Sequence, residues 1–270
     1  MYEDLLDTAL TAAHAAGRVA CARLGDHGAI KHKGFRDIAT EADVEAQAAA
    51  QEVILARFPD AAILGEESDA AAQAEARRAA RMWIIDPIDG TTNFSRRFPV
   101  FAVALGVCEG DEPVVGVVYD PLHEHTFYAA RGAGAFLRVG DGAPERLHVS
   151  AVDRMAGVLG GNDWARDPDA RQEVIDCLAR LAPACRTVRT LGSAALGITY
   201  VAAGWIDVYY HLWLSPWDAA AAVAILREAG GRATEFPRRA GDPAPEWDLG
   251  MKRLLATNGI LHEQALELLL

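Results

Sequence analysis

Four acidic residues stand where short apolar segments end. Glu66 lies in GEES (65–68), Asp86 and Asp89 in DPIDGTTNF (86–94), and Asp218 in PWD (216–218). A fifth, Asp43, lies in TEAD (40–43). Clustered carboxylates attract a hard divalent cation. Backbone N–H groups freed at the start of a helix attract an anion. DPIDGTT supplies both kinds of group. Pro87 interrupts a simple strand, Gly90 permits tight backbone geometry, and Thr91 and Thr92 suit a helix start. A site that holds a cation beside an anion is what a metal-dependent phosphatase needs. Singly, each acid has a plainer role: a turn residue, a solvated Glu-Glu pair, a helix cap. Their significance lies in the combination.

The elements that must position them alternate in character. Leu6, Leu10, Ala13, Ala16 and Ala20 form one stripe of a first helix. A basic loop, KHKGFRD (31–37), follows, and Thr40 with Asp43 caps a second helix that ends before Pro59. AAILG (61–65) and MWIID (82–86) read as strands around an Ala/Arg-rich helical stretch (70–80). FAVALGVCE, VVGVVYD, HTFYAA and GAFLRV predict an antiparallel meander. Beyond about residue 150, strands and helices alternate: GVLGG, DPDARQEVIDCLARL, RTVRTLG, GSAALGITYVAAG, IDVYY, DAAAAVAILREAGG, RLLATN and HEQALELLL. The seam is expected at DGAPE (141–145). It divides an N-terminal α+β part (1–145), with most of the acidic ligands, from a C-terminal α/β part (146–270) that supplies Asp218 and the substrate pocket.

The bulk numbers narrow the partners. The 270 residues carry 26 basic and 38 acidic side chains, a net charge of −12. Such a chain is a poor general ligand for nucleic acid or an anionic membrane, so neither is expected as a partner. Phosphate binding by an acidic protein requires cations in between. The four cysteines, Cys21, Cys108, Cys177 and Cys185, form no C-x-x-C pair and read as buried free thiols. No apolar run reaches membrane-spanning length, and a cytoplasmic enzyme is the expectation.

GEES, WIIDPIDGTTNF and SPWDAAAAVAILREAGG, with KGFRDIATEAD and RTLGSAALGITYVAAGWIDVYY, resemble the inositol monophosphatase family in order and spacing over roughly residues 2–268. The resemblance implies a layered α/β fold, an αβαβα sandwich of the inositol monophosphatase / fructose-1,6-bisphosphatase type. It implies an Mg2+-dependent phosphomonoesterase acting on a small phosphorylated alcohol by in-line attack of water. Two to three Mg2+ ions would be held by Glu66, Asp86, the Ile88 carbonyl, Asp89 and Asp218. Glu66, Thr91 and Asp43 would be catalytic, with the Thr91–Asp43 pair orienting the water. Asp89, Gly90, Thr91, Ser193, Ala194, His211 and Asp218 would meet the substrate. A homodimer and Li+ sensitivity are family expectations, Li+ displacing a weakly held Mg2+.

Several positions qualify this picture. His211 stands where inositol-selective members usually carry Glu, and imidazole lacks a carboxylate's two acceptors. Inositol 1-phosphate therefore competes with histidinol phosphate, fructose 1,6-bisphosphate and a 3′-phosphonucleotide as substrate. Lys33 reads either as a phosphate neighbour or as a solvated loop lysine. Trp213 reads as a pocket wall or an interface residue. The turn at Gly160–Asp163 borders the pocket. His123 and His125 point the same way on a strand but lack further zinc ligands, so they read as hairpin residues. A haloacid dehalogenase-like D-x-D-G-T motif is one residue shorter than D-P-I-D-G-T. A non-catalytic regulator is the remaining alternative of a different class.

Overall fold

A computed structural model describes residues 2–35 and 37–270. The chain begins with α1 (Glu3–Arg23), a strand pair β1 (Ile30–Gly34) and β2 (Asp37–Thr40), and α2 (Glu41–Arg57). Next come β3 (Ala62–Gly65), α3 (Ala70–Ala76), β4 (Arg81–Asp89) and the short α4 (Thr91–Ser95). The meander follows as β5 (Ala102–Glu109), β6 (Glu112–Asp120), β7 (His125–Ala130), β8 (Gly134–Val139) and β9 (Glu145–Arg146). The later part runs β10 (Leu159–Asn162), α5 (Pro168–Ala184), β11 (Thr187–Thr190), α6 (Ala194–Ala202), β12 (Val208–His211) and α7 (Pro216–Glu228). It closes with β13 (Arg232–Thr234), β14 (Leu254–Thr257) and α8 (His262–Leu269).

Two main sheets organise these elements. A seven-stranded sheet takes β3 to β9 in sequence order, and a five-stranded sheet has the order β11-β10-β12-β14-β13. Only the β3–β4 pair is parallel in the first; the second is mixed.

Alternation along β4 explains the layers. Trp83 and Ile85 face α1 and α2, where they pack with Leu5, Ala9, Ala46 and Ile54. Met82 and Ile84 face the other way, onto α6 and α7. Those helices pack on their far side against Tyr209, Leu254 and Ala256 of the second sheet. The outer face of that sheet, with Val208, Tyr210 and Leu255, is covered by α5 and α8. Strand residues of period two can serve two cores only if helices lie on both faces. The result is the expected αβαβα sandwich. Small residues permit the close central packing: a Cβ on Gly116 would stand 2.1 Å from the Ala221 carbonyl oxygen of α7.

Three local expectations need correction. The 31–37 stretch belongs to a strand pair rather than a loop, with Arg36 outside the described residues. Its first strand is exposed throughout, so no apolar alternation could announce it. Cys21 is exposed and Cys185 half-buried; only Cys108 and Cys177 are buried. The α1 stripe is centred on Leu5, Ala9, Ala12 and Ala16, while Leu6 and Leu10 are only partly buried at its edge.

Candidate active site

The acidic residues gather at one place. Asp86, Asp89 and Asp218 are buried, and each offers a carboxylate oxygen within 4.8 Å of the others. Asp86 and Asp89 come from β4, which is irregular between them. The strand does not end at Pro87, as expected. It bulges and continues to Asp89, which aims two carboxylates to one side. Asp218 comes from the first turn of α7, where Ser215 and Asp218 form a reciprocal capping box. Ser215 N–H donates to Asp218 Oδ2 at 2.6 Å.

Asp89 is fixed by the C-terminal part. Its carboxylate accepts from the Ser193 hydroxyl, from Ala195 N–H at 2.9 Å and from Ala194 N–H at 3.3 Å. The start of α6 thus holds Asp89 rather than facing the cavity alone. Asp86 Oδ1 accepts from Ile88 N–H at 3.1 Å.

The chain then turns at Gly90, with φ of 97°, into α4. A Cβ there would lie 2.9 Å from the Gly192 carbonyl oxygen, so both conformation and space demand glycine. Asn93 Nδ2 donates to the carbonyls of Val100 and Leu191, each at 2.8 Å, and ties this turn to the loop before α6. Thr91 Oγ1 lies 3.3 Å from Asp43 Oδ1 and 3.1 Å from the Ile88 carbonyl. Asp43 is itself held by Thr40 N–H at 2.7 Å and Thr40 Oγ1 at 2.6 Å.

Glu66 stands outside the tight trio. It is paired at 3.0 Å with Lys33, which also reaches Glu67 at 2.5 Å. Lys33 is therefore not a solvated loop lysine.

Electrostatics mark the trio as unstable by itself. Burial, then the charges of Glu66, Asp89 and Asp218, pushes Asp86 well above the ordinary carboxylate range. Burial pushes Asp89 up to about 7, against the hydrogen bonds from Ser193, Ala195 and Ala194. Burial also pushes Asp218 up to about 7; Arg166 opposes this, and Glu66 and Asp89 reinforce it. Burial lifts Asp43 to about 6 against its Thr40 bonds. Three carboxylates this close cannot all remain charged without a cation among them. An oxygen-only donor set fits a hard ion of the Mg2+ kind.

Above the acids lies a cavity of about 500 Å³. Asp89, Gly90, Thr91, Ala194, His211 and Asp218 line it, as does Trp213. His211 is buried, not a surface residue. Of the Gly160–Asp163 segment, Asp163 reaches the cavity, whereas Gly160 and Gly161 lie in β10. His123 sits in the turn before β7 and bonds Asp120 at 2.7 Å, so it shares no strand with His125.

The family model for the inositol monophosphatase family matches residues 1–270. The chain belongs to the inositol monophosphatase family. It is 38% identical over 262 residues to an inositol-1-monophosphatase of Synechocystis, covering 96% of this chain and 86% of that one. It is 35% identical over 235 residues to the Nus factor SuhB of Vibrio cholerae, covering 86% and 85%. The solved IMPase of Thermotoga maritima superposes with a TM-score of 0.85 at 33% identity, covering 98% of this chain and 96% of that one. As a member of this phosphatase family, the protein is a phosphoric monoester hydrolase.

Asp37, Phe98, Trp164, Arg166 and Arg171 also line the cavity and went unnoticed in the sequence. A usable signal existed for two of them. Trp164 and Arg166 follow the C-terminal end of β10, a strand parallel to both its neighbours, and ligands collect beyond such ends.

Proposed function

We propose that this family member is an Mg2+-dependent phosphomonoesterase acting on a small phosphorylated alcohol, inositol 1-phosphate in type. The observation that carries the reading is the buried trio Asp86, Asp89 and Asp218, packed beside the Gly90–Thr91 turn. Two to three Mg2+ ions would be held by these residues with Glu66 and the Ile88 carbonyl. When bound, they would supply positive charge to the phosphoryl oxygens and to the attacking water.

The remaining work falls to the protein. Gly90 and Thr91 N–H groups bind the phosphate where the chain enters α4. Thr91 Oγ1 accepts a hydrogen bond from water while donating its own proton toward Asp43, which orients the water's lone pair at phosphorus. Asp43, lifted to about 6, can then draw the proton through Thr91 near neutral pH. Glu66 is a second acceptor for that proton. Water attacks directly, so no covalent phosphoenzyme forms.

Ser193 and Ala194 act through Asp89, holding it for the substrate-side contact. The parts 1–145 and 146–270 would then meet at the site, the second contributing Asp218. Family resemblance supports a homodimer, Li+ sensitivity and a cytoplasmic location, with a small phosphorylated metabolite as partner. Among the described residues, no helix is long and apolar enough to cross a membrane.

Phosphate release from inositol 1-phosphate, histidinol phosphate, fructose 1,6-bisphosphate and a 3′-phosphonucleotide, with and without Mg2+, tests the reading. The expected result is Mg2+-dependent release that Asp89→Asn abolishes. Release that ignores Mg2+ would overturn it. No release from any ester would favour a non-catalytic regulatory role.

A further inference from the structure

Asp163 is a buried carboxylate lining the cavity to which the proposed chemistry gives no task. It stands one residue past the end of β10, a strand parallel to both β11 and β12. Its Oδ1 accepts from Gly192 N–H at 2.5 Å, and its Oδ2 accepts from the Tyr209 hydroxyl at 2.9 Å. Both oxygens are thereby engaged, and Asp163 stays outside the trio of Asp86, Asp89 and Asp218. Burial lifts its pKa to about 6, opposed first by the Gly192 N–H and the Tyr209 hydroxyl, then by the N–H groups of Leu191 and Ser193. Successive main-chain N–H groups thus wrap one carboxylate. Tyr209 gives that carboxylate a fixed base. Its ring fills a slot between β10 and α6, where a Cβ on Gly161 or Gly197 would strike it.

The 191–193 loop held in this way serves the site in two directions. Its Ser193 hydroxyl, with the Ala194 and Ala195 N–H groups beyond, holds Asp89. Its Gly192 carbonyl packs on Gly90, where a Cβ would come within 2.9 Å. Asn93 grips the loop by the Leu191 carbonyl, and Asp163 grips it by the Gly192 N–H. The two anchors are complementary, one donating and one accepting.

We propose that Asp163 is a positioning residue, which sets the 191–193 loop and through it aims Asp89 at the shared cation. The proposal rests on the metal-dependent phosphatase reading and adds a residue that acts through a ligand. Moving Asp89 by about 1 Å is enough to weaken cation binding and slow the reaction.

Mn2+ binding to the full-length protein, read without turnover from the EPR signal of the free ion, tests this together with kcat for inositol 1-phosphate. Asp163→Ala should weaken Mn2+ binding and lower kcat by about tenfold each. Asp163→Asn should stay within about threefold of wild type in both, because its amide oxygen still accepts from Gly192 and the Tyr209 hydroxyl can turn to accept from its NH2 group. Tyr209→Phe should move both in the same direction as Asp163→Ala, by about threefold. In a double-mutant cycle with Ser193→Ala, loss of the Ser193 hydroxyl should cost little once Asp163→Ala has released the loop. Thermal unfolding identifies a variant that does not fold; if Asp163→Ala is one, Tyr209→Phe takes its place in the cycle. A folded Asp163→Ala with wild-type Mn2+ binding and kcat, or full additivity in the cycle, would overturn the positioning role and leave the phosphatase intact. Asp163→Asn as impaired as Asp163→Ala would overturn it too, since charge rather than geometry would then be at work. No Mn2+ binding by the wild type would overturn the metal-dependent reading itself.

Discussion

The floor and the upper wall of the cavity differ in how they are built. The floor is buried carboxylate held by backbone: Asp89 by Ala194 and Ala195, Asp218 by its own capping box and, behind Thr91, Asp43 by Thr40. Each side chain has its orientation set by main-chain geometry that the fold cannot easily change. Around the buried His211, the wall is made of half-exposed, long side chains: Trp164, Trp213 and Arg166. Their positions depend on stacking and on one ion pair. Chemistry common to all substrates needs the rigid floor, while choice among substrates can reside in an adaptable wall.

Breaking the floor should have the largest effect. Asp89→Asn removes one carboxylate charge but keeps most of the hydrogen-bonding shape. It should lower kcat by about a thousandfold or more in a phosphate-release assay. Retained activity would put the chemistry elsewhere. Thr91→Val deletes the hydroxyl between Asp43 and the cavity, and should cost about a hundredfold in kcat with KM little changed.

Stability sharpens the contrast without any turnover. Asp89 and Asp218 are raised from 3.8 to about 7, so the folded protein binds more protons than the unfolded chain between those values. Their contribution to stability is therefore full below about 3.8 and is lost as pH rises through about 7. Melting temperature in chelator should fall across that window. Excess Mg2+ should remove the fall by binding the deprotonated folded state. A flat profile in chelator would mean that burial does not hold Asp89 and Asp218 above the ordinary carboxylate range.

The wall should show the smallest effect. Trp213→Ala removes the ring beneath Lys252 Nζ, 4.6 Å from its centre, but keeps the N–H that holds His211. KM should rise a few-fold with kcat nearly constant. A large kcat loss instead would erase the distinction between floor and wall.

The same distinction explains what could be read from the residues. The floor was legible because each acid sits at a punctuation point: a strand end, a Gly turn, a Pro-preceded helix start. Those signals are local. Even there, the continuation of β4 through Pro87 was missed, because a bulge is decided by the pairing of β4 with β5 and not by β4 alone. The β1–β2 pair escaped because its first strand buries no face. Lys33 was ambiguous because its partners, Glu66 and Glu67, are 33 and 34 residues away. The wall was hardest to read. Arg166 and Trp164 occupy a loop, and only the parallel order of β11, β10 and β12 turns that loop toward the acids. His211 was visible as an unusual residue type. That its Nδ1 accepts from the Trp213 N–H became evident only in the fold.

The central claim is that Asp86, Asp89 and Asp218 share divalent cations. Crystals soaked in Mn2+, as a surrogate for Mg2+, test it by anomalous difference density. The account predicts strong peaks within coordinating distance of all three carboxylates in the native protein and their loss in Asp89→Asn. Native maps with no peak among the three, at Mn2+ concentrations that support phosphate release, would contradict it.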